Sequence, residues 1–527
     1  MDLFFSTFPI ILLIFVMVKK NPLPSHIALP IVALVFYIIK LLYFKEKAVI
    51  INATVLSGIL TAWTPILIIW GAILLFRTMD NSGSMNVIKE WLNTISKNRI
   101  AQLMIIGWAF AFLIEGASGF GTPAALAAPV LVGLGFKPVR VAILTLIMNT
   151  VPVSFGAIGT PTWFGFGGLN ISAEQLVQIG FESAFIHFAA ALIIPLIALS
   201  FVVSWSEIKK NIVFIYLSIL STVIPYFIIA SFNYEFPALI GGAFGLFFST
   251  VIAKKGIGLN KNETTSTAKS TISPGTLLKA SFPLWGTIFL LIITRIHQFG
   301  IKTILTSSEH SLSIAFGSLG QLSISPSLVI SFNNIFLTGI GWNVKLLYIP
   351  ALLPFFLISF LTFGIMKMDK NSIRVTWKDA MMKIKNPAIS LMAALVFVKL
   401  LMSGGDQSGT YIIGQALTVL TGSNWKFFAS YLGAFGSFFA GSNTISNLTF
   451  GGIQLSMANN LGISVPTTLA MQSVGGAYGN MICINNIVAV SSVLGLSKKE
   501  GYILKRTTLP MILYGLIAGI IAILFLY

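Results

Sequence analysis

Residues 101–135, AQLMIIGWAFAFLIEGASGFGTPAALAAPVLVGLG, constrain this chain more than any other stretch. An apolar run climbs to Glu115, breaks across Gly116-Ala117-Ser118-Gly119-Phe120-Gly121-Thr122-Pro123, and resumes as a second apolar run. Each half, about 12–14 residues, falls short of the roughly 20 residues of helix that cross a hydrocarbon core. Small residues beside a proline at membrane depth imply irregular backbone, which survives there only when buried in protein or lining a wet cavity. The expected structure is a re-entrant hairpin, helix–tip–helix, with a polar site at the tip. Such a device suits a carrier.

Only 9% of the 527 residues are charged and 56% are hydrophobic, against about 25% charged in a soluble domain. Many separate apolar runs of spanning length predict an all-α polytopic membrane protein with about 11–14 membrane segments. The formal charge of +18 sits in short loops between spans, which is the positive-inside bias rather than a nucleic-acid face. One cysteine, Cys483, excludes an internal disulfide and a cysteine metal cluster. The four histidines, His26, His187, His297 and His310, show no metal-binding spacing. Neither a metal nor an organic cofactor is expected. The first apolar run carries Lys19 and Lys20 behind it rather than ahead, so it reads as an uncleaved span with its N-terminus outside.

Along the chain, spans near 27–44 and 54–76 lead to the amphipathic segment 85–96, a helix on the membrane surface or a solvated linker. After the hairpin comes VAILTLIMNTVPVSFGAIGTPTW, interrupted by Pro152, Gly156, Gly159 and Pro161, which predicts a broken spanning helix. Spans near 179–203, 212–231 and 236–253 complete an N-terminal half, 1–253. Residues 254–279 are polar and basic and read as a cytoplasmic linker; 280–527 form the second half. Within it, 296–344 reads as outer structured loops with a short helix. NWKFFASYLGAFGSFFAGSNTISNLTFGGIQLSMANN (424–460) then repeats the hairpin around Gly441-Ser442-Asn443-Thr444, and LAMQSVGGAYGNMICINNIVAVSSVLGL repeats the broken helix. By loop parity the second hairpin enters from the side opposite to the first, and the C-terminus ends outside. A hairpin and broken helix repeated in opposite orientation predict an inverted-repeat carrier.

EGASGFGTPAAL, GLGFKP and NTVPVSFGAIGTP, with LGAFGSFFAGSNTISNLTFGGIQ and GGAYGNMICINNIVAV in the second half, resemble the L-lactate permease family over essentially the whole chain. That family sits within a wider group of ion-coupled carriers whose hairpin tips often carry Ser-Asn-Thr, matched here by Ser442-Asn443-Thr444. The first tip departs from the pattern, offering Ser118 and Thr122 instead, and Asn485 stands where some relatives carry another polar residue. The resemblance implies import of lactate, and often glycolate, with protons, in the bacterial inner membrane. It also suggests a homodimer, by analogy alone.

A 2-hydroxycarboxylate needs donors for its carboxylate and a donor–acceptor pair for its hydroxyl. The two tips offer backbone N–H groups at helix starts, glycines (Gly116, Gly119, Gly121) that admit close approach, and polar side chains on Ser118, Thr122, Ser442, Asn443, Thr444 and Asn447. The bland alternative for the glycines is close helix packing. Glu115 is the candidate for proton coupling, because burial at membrane depth disfavours a charged carboxylate; its alternative is a cap on the tip's backbone. Arg295 either draws substrate carboxylates or snorkels to the interface, and Lys399 carries the same ambiguity. Glu182 and His187 form either a relay or a satisfied pair, and Asp406 reads as loop. Hydroxyl-rich tips would also suit sodium, the nearest rival coupling ion. A membrane enzyme would want a clustered catalytic set, and an anion channel a continuous pore with basic rings.

Overall fold

The computed structural model describes residues 1–18, 23–119, 122–260, 272–295, 299–349, 351–496 and 499–527. Among these, seven helices are long and apolar enough to cross a membrane, nine if two bent pairs each count as one span. Four shorter apolar helices accompany them. The chain is a multi-pass helical membrane protein. The middle of the expected linker, 261–271, lies outside the described residues.

The chain divides into two compact units, Met1–Ile88 with Pro274–Ala416, and Lys89–Ser273 with Leu417–Tyr527. Each takes a segment from both sequence halves, so the compact units cut across the repeats. Both hairpins and both broken helices belong to the second unit.

The first unit is built on two long helices, Ala48–Asn81 and Lys370–Met402. They run antiparallel: Gly58 lies against Val396, and Asn81 Nδ2 donates to Thr376 Oγ1 at 2.9 Å. A Cβ on Gly58 would stand 2.9 Å from Val396 Cα, so the backbones touch because that side chain is missing. One lysine here is buried and another half-buried. Lys40 pairs with Glu46 at 3.2 Å and donates to Ser403 O at 2.7 Å, while Lys399 donates to Ser57 Oγ at 2.8 Å.

The segment expected as loops with a short helix forms a four-stranded antiparallel sheet in strand order. Its strands are Leu312–Ala315, Gln321–Ile324, Val329–Asn333 and Trp342–Lys345. The short helix is there too, Ile301–Thr306, just before the sheet. Ser313 faces Ser323, and Ile330 faces Val344, so the two-residue alternation of this stretch is strand periodicity. Helix Ser84–Thr94 confirms the amphipathic segment, with Met85, Ile88 and Leu92 buried at helical spacing.

In the second unit the first hairpin departs from expectation in length. Its leading arm, Arg99–Ser118, is one continuous helix of 20 residues, capped by Asn98 accepting from Ala101 N–H at 3.1 Å and π-helical over Leu103–Phe110. At 1.5 Å per residue it is about 30 Å long, a full span rather than a half. Gly107 and Gly116 stay helical, and the chain breaks only at Gly119, whose φ of 61° lies outside helical space. The return arm is Thr122–Gly133 and packs back along the leading arm. The second hairpin consists of Trp425–Ala440 and Asn443–Leu461.

Candidate functional site

Each tip turns on a glycine in the left-handed region. Gly119 N–H donates to Glu115 O at 2.9 Å, and Gly441 N–H donates to Ser437 O at 2.9 Å. The closing hydrogen bond is the same, with Glu115 and Ser437 at matching places, but ψ differs, −157° at Gly119 against 15° at Gly441. Each glycine lies against a broken helix. A Cβ on Gly119 would meet Ala157 Cβ at 3.0 Å, and one on Gly441 would meet Asn485 Nδ2 at 3.0 Å. Glycine is required twice over, by φ and by space.

The first broken helix runs Pro138–Met148, a 3-10 turn Val151–Phe155, and Gly156–Trp163, bent by 46°. Inside the last piece Ala157, Ile158 and Gly159 take φ of 46°, 58° and 65°. A left-handed conformation costs a non-glycine residue roughly 1–2 kcal/mol, and β-branched Ile158 resists it most. Side chains hold the turn: Thr160 Oγ1 donates to Ala157 O, and Trp163 Nε1 donates to Ile158 O at 2.9 Å. Stored backbone strain of this kind concentrates where a site is being shaped. The second broken helix runs Val465–Gly479, a turn Asn480–Ile482, and Ile484–Val493.

These pieces enclose a cavity of about 10 Å³. Its wall takes Glu115 and Gly119 from the first hairpin, Val153, Gly156, Ala157 and Pro161 from the first broken helix, Gly441 to Thr444 from the second tip, and Asn480. That volume holds roughly one water.

Glu115 is buried, and its carboxylate has one side-chain hydrogen bond, Asn149 Nδ2 donating to Oε2 at 3.0 Å. Its other oxygen lies over Gly156, where a Cβ would come within 2.4 Å. Among the described residues no cation lies within ion-pair distance of it. Ser442 caps the second tip's helix by accepting from Ile445 N–H at 3.4 Å. Asn443 Nδ2 donates to Ser473 O at 3.0 Å.

The site residues expected from sequence separate accordingly. Glu115, Gly119, Ser442, Asn443 and Thr444 converge on the cavity. Gly116 does not: a Cβ there would strike Leu239 N at 2.4 Å, so it serves the crossing with helix Pro237–Lys254. That is a correction, and the packing alternative accounts for it. Ser118 is buried and donates to Ile114 O at 2.9 Å, within its own helix. Asn447 also turns away, donating to Pro161 O at 2.9 Å and tying the second hairpin to the first broken helix. Gly121 lies outside the described residues, as do the side chains of Thr122 and Arg295. Arg295 ends helix Phe282–Arg295 of the first unit.

Glu182 and His187 do not bond each other. Glu182 accepts from Gln178 Nε2 at 2.8 Å, whereas His187 lies 2.6 Å from Tyr514 Oη and 2.8 Å from Ser154 Oγ. Ser473 Oγ donates in turn to Ser154 Oγ at 3.0 Å, so this buried chain fastens the two broken helices together. Asn149, Ser154 and Ser473 were missed by sequence reasoning, although Asn149 interrupts an otherwise apolar run.

The family model described as L-lactate permease matches residues 2–527. A Haemophilus influenzae protein, provisionally named an L-lactate permease, is 53% identical over 98% of this chain and 97% of its own length. The L-lactate permease of Escherichia coli is 26% identical, covering 99% of this chain and 95% of that one. The glycolate permease of the same organism is 25% identical over 98% and 94%.

Proposed function

The chain belongs to the L-lactate permease family, and from that membership we propose that it imports L-lactate, with D-lactate and glycolate as further substrates, in symport with protons across the bacterial cytoplasmic membrane. The observation that carries the coupling is a buried carboxyl in the wall of a small cavity, with no cation near it among the described residues. A substrate carboxylate held by the second tip would face that group. Two negative charges about 5 Å apart, at an effective dielectric near 20, repel by about 3 kcal/mol. Substrate binding therefore favours the protonated form of Glu115 by about two powers of ten, and by linkage a bound proton favours substrate equally. The N–H groups at the start of Asn443–Leu461 supply the anion's donors. Both chain termini are placed outside, and the protein works as a homodimer in this reading.

Sodium coupling is the second reading. It is favoured by Asn443 Oδ1 and Ser437 Oγ, two buried oxygens without a hydrogen-bond partner near Gly476. Uptake of labelled L-lactate into proteoliposomes decides, with a proton gradient and a sodium gradient imposed separately. The proposal expects protons alone to drive accumulation, and Glu115→Gln to abolish accumulation while lactate exchange persists. Accumulation driven by sodium alone, with Glu115→Gln unaffected, would refute it.

A further inference from the structure

We propose that Asn149 is the positioning residue that serves Glu115 in both of its charge states, its amide donating to the carboxylate and accepting from the carboxylic acid. The inference rests on the proton-coupled reading above. In the structure Asn149 Nδ2 donates to Glu115 Oε2 at 3.0 Å, and Asn149 Oδ1 is buried with no hydrogen-bond partner among the described residues. A carboxamide carries a donor and an acceptor on one planar group, and a half-turn about its terminal torsion exchanges them. The ionised carboxyl needs a donor, which Nδ2 supplies. The protonated carboxyl becomes a donor itself, and Oδ1 is the buried acceptor left over for it. A buried group that changes charge without changing partners leaves one state unsatisfied, at a cost that would bias or stall the cycle. The proton added to Oε2 comes from the transport pathway and returns to it, and no covalent bond within the protein changes.

Ser442, Asn443, Thr444 and Asn480 line the same cavity, but among the described residues the side-chain hydrogen bond to the Glu115 carboxylate comes from Asn149. The return arm Thr122–Gly133 and the pieces Val151–Phe155 and Gly156–Trp163 carry no titratable side chain. Helix Pro237–Lys254 carries its lysine at the far end, and Arg99 stands at the other end of Glu115's own arm. Asn149 ends the helix Pro138–Met148 just where the spanning helix breaks. Its amide therefore sits on the element whose geometry shapes the cavity.

The test uses proteoliposomes holding the full chain as wild type, Asn149→Leu and Asn149→Asp. Three readouts are taken: lactate exchange at equal pH, the pH midpoint of proton-driven uptake, and the infrared carbonyl band of a protonated carboxyl, assigned by its loss in Glu115→Gln. Asn149→Leu removes a partner from both states, but the bond to the charged form is the stronger, so both the uptake midpoint and the infrared titration should move to higher pH by about one unit. Asn149→Asp is isosteric, so packing is kept, yet two carboxyls would then share a proton and the midpoint should rise as well. Exchange persists in at least the aspartate variant. Wild-type midpoints in Asn149→Asp would overturn the assignment, whatever the leucine variant does. Wild-type uptake indifferent to the proton gradient would overturn the coupling reading itself, and this inference with it.

Discussion

Gly156→Ala is the sharpest structural test of Glu115. The backbone at 156 has φ −62° and ψ 156°, which alanine adopts freely, so any effect is steric rather than conformational. The added Cβ would lie 2.4 Å from Glu115 Oε1, 3.2 Å from its Cδ and 3.4 Å from its Cγ. Ordinary carbon–oxygen contact begins near 3.4 Å, so the carboxyl must retreat by about 1 Å. The Asn149 bond starts at 3.0 Å, and a shift of that size carries it out of hydrogen-bonding range. A hydrogen bond to a charged group contributes about 1.5–3 kcal/mol, which predicts a fall of about tenfold to a hundredfold in proton-driven lactate accumulation. Exchange, which needs no net proton movement, should stay within a few-fold. The assay is gradient-driven uptake beside exchange in proteoliposomes, with Gly133→Ala as control because nothing lies within 4 Å of that added Cβ. Wild-type accumulation and an unchanged pH profile in Gly156→Ala would refute the placement of Glu115 against this backbone.

Gly116→Ala and Gly242→Ala should lower thermal stability without a selective change in coupling. The added carbons would lie 2.4 Å from Leu239 N and from Leu113 Cα, and overpacking of this kind costs about 1–3 kcal/mol. A melting curve in detergent alongside KM for lactate separates this from a binding role, which would raise KM at unchanged stability. His187→Phe leaves the buried Tyr514 hydroxyl without its 2.6 Å partner, at about 1–3 kcal/mol. The double variant His187→Phe/Tyr514→Phe should recover part of the lost melting temperature; no recovery would mean the pair is not coupled.

The membrane class and the two tips were legible in sequence because glycine, proline and a lone carboxylate inside apolar runs seldom occur together unless a site needs them. Glu115 and Ser442-Asn443-Thr444 were found that way. The length of the first arm was misjudged because Gly116 was counted as part of the break. A glycine inside a helix and a glycine that ends one look alike until the neighbouring helix is seen, and here Leu239 backs it. The sheet at 312–345 was hidden by the turn signals around it, although Leu312, Ile314, Leu322 and Ile324 alternate with serines on neighbouring positions. Asn149, Ser154 and His187 lie far apart in sequence from the groups they bind, and no local pattern announces such partners. The compact units were illegible for the same reason, since each is assembled from both halves.

The two tips share a backbone hydrogen bond but not a charge. Glu115 and Ser437 each accept from the glycine four residues on, at the same 2.9 Å, yet one side chain ionises and the other cannot. The cavity wall is therefore left with a single carboxyl. If one proton neutralises that carboxyl for each monocarboxylate carried, the loaded site and the empty ionised site both carry one negative charge, so a full cycle moves no net charge. A membrane potential of 100 mV acts on one unit charge with about 2.3 kcal/mol, which would change the accumulation ratio by about fiftyfold if the cycle moved one. The expected outcome is that lactate accumulation at fixed pH gradient stays the same when the potential is clamped at zero or made inside-negative with valinomycin and potassium. A tens-fold rise under the inside-negative potential would mean that more than one cation travels with each substrate. Glu115 could not then be the whole of the coupling machinery.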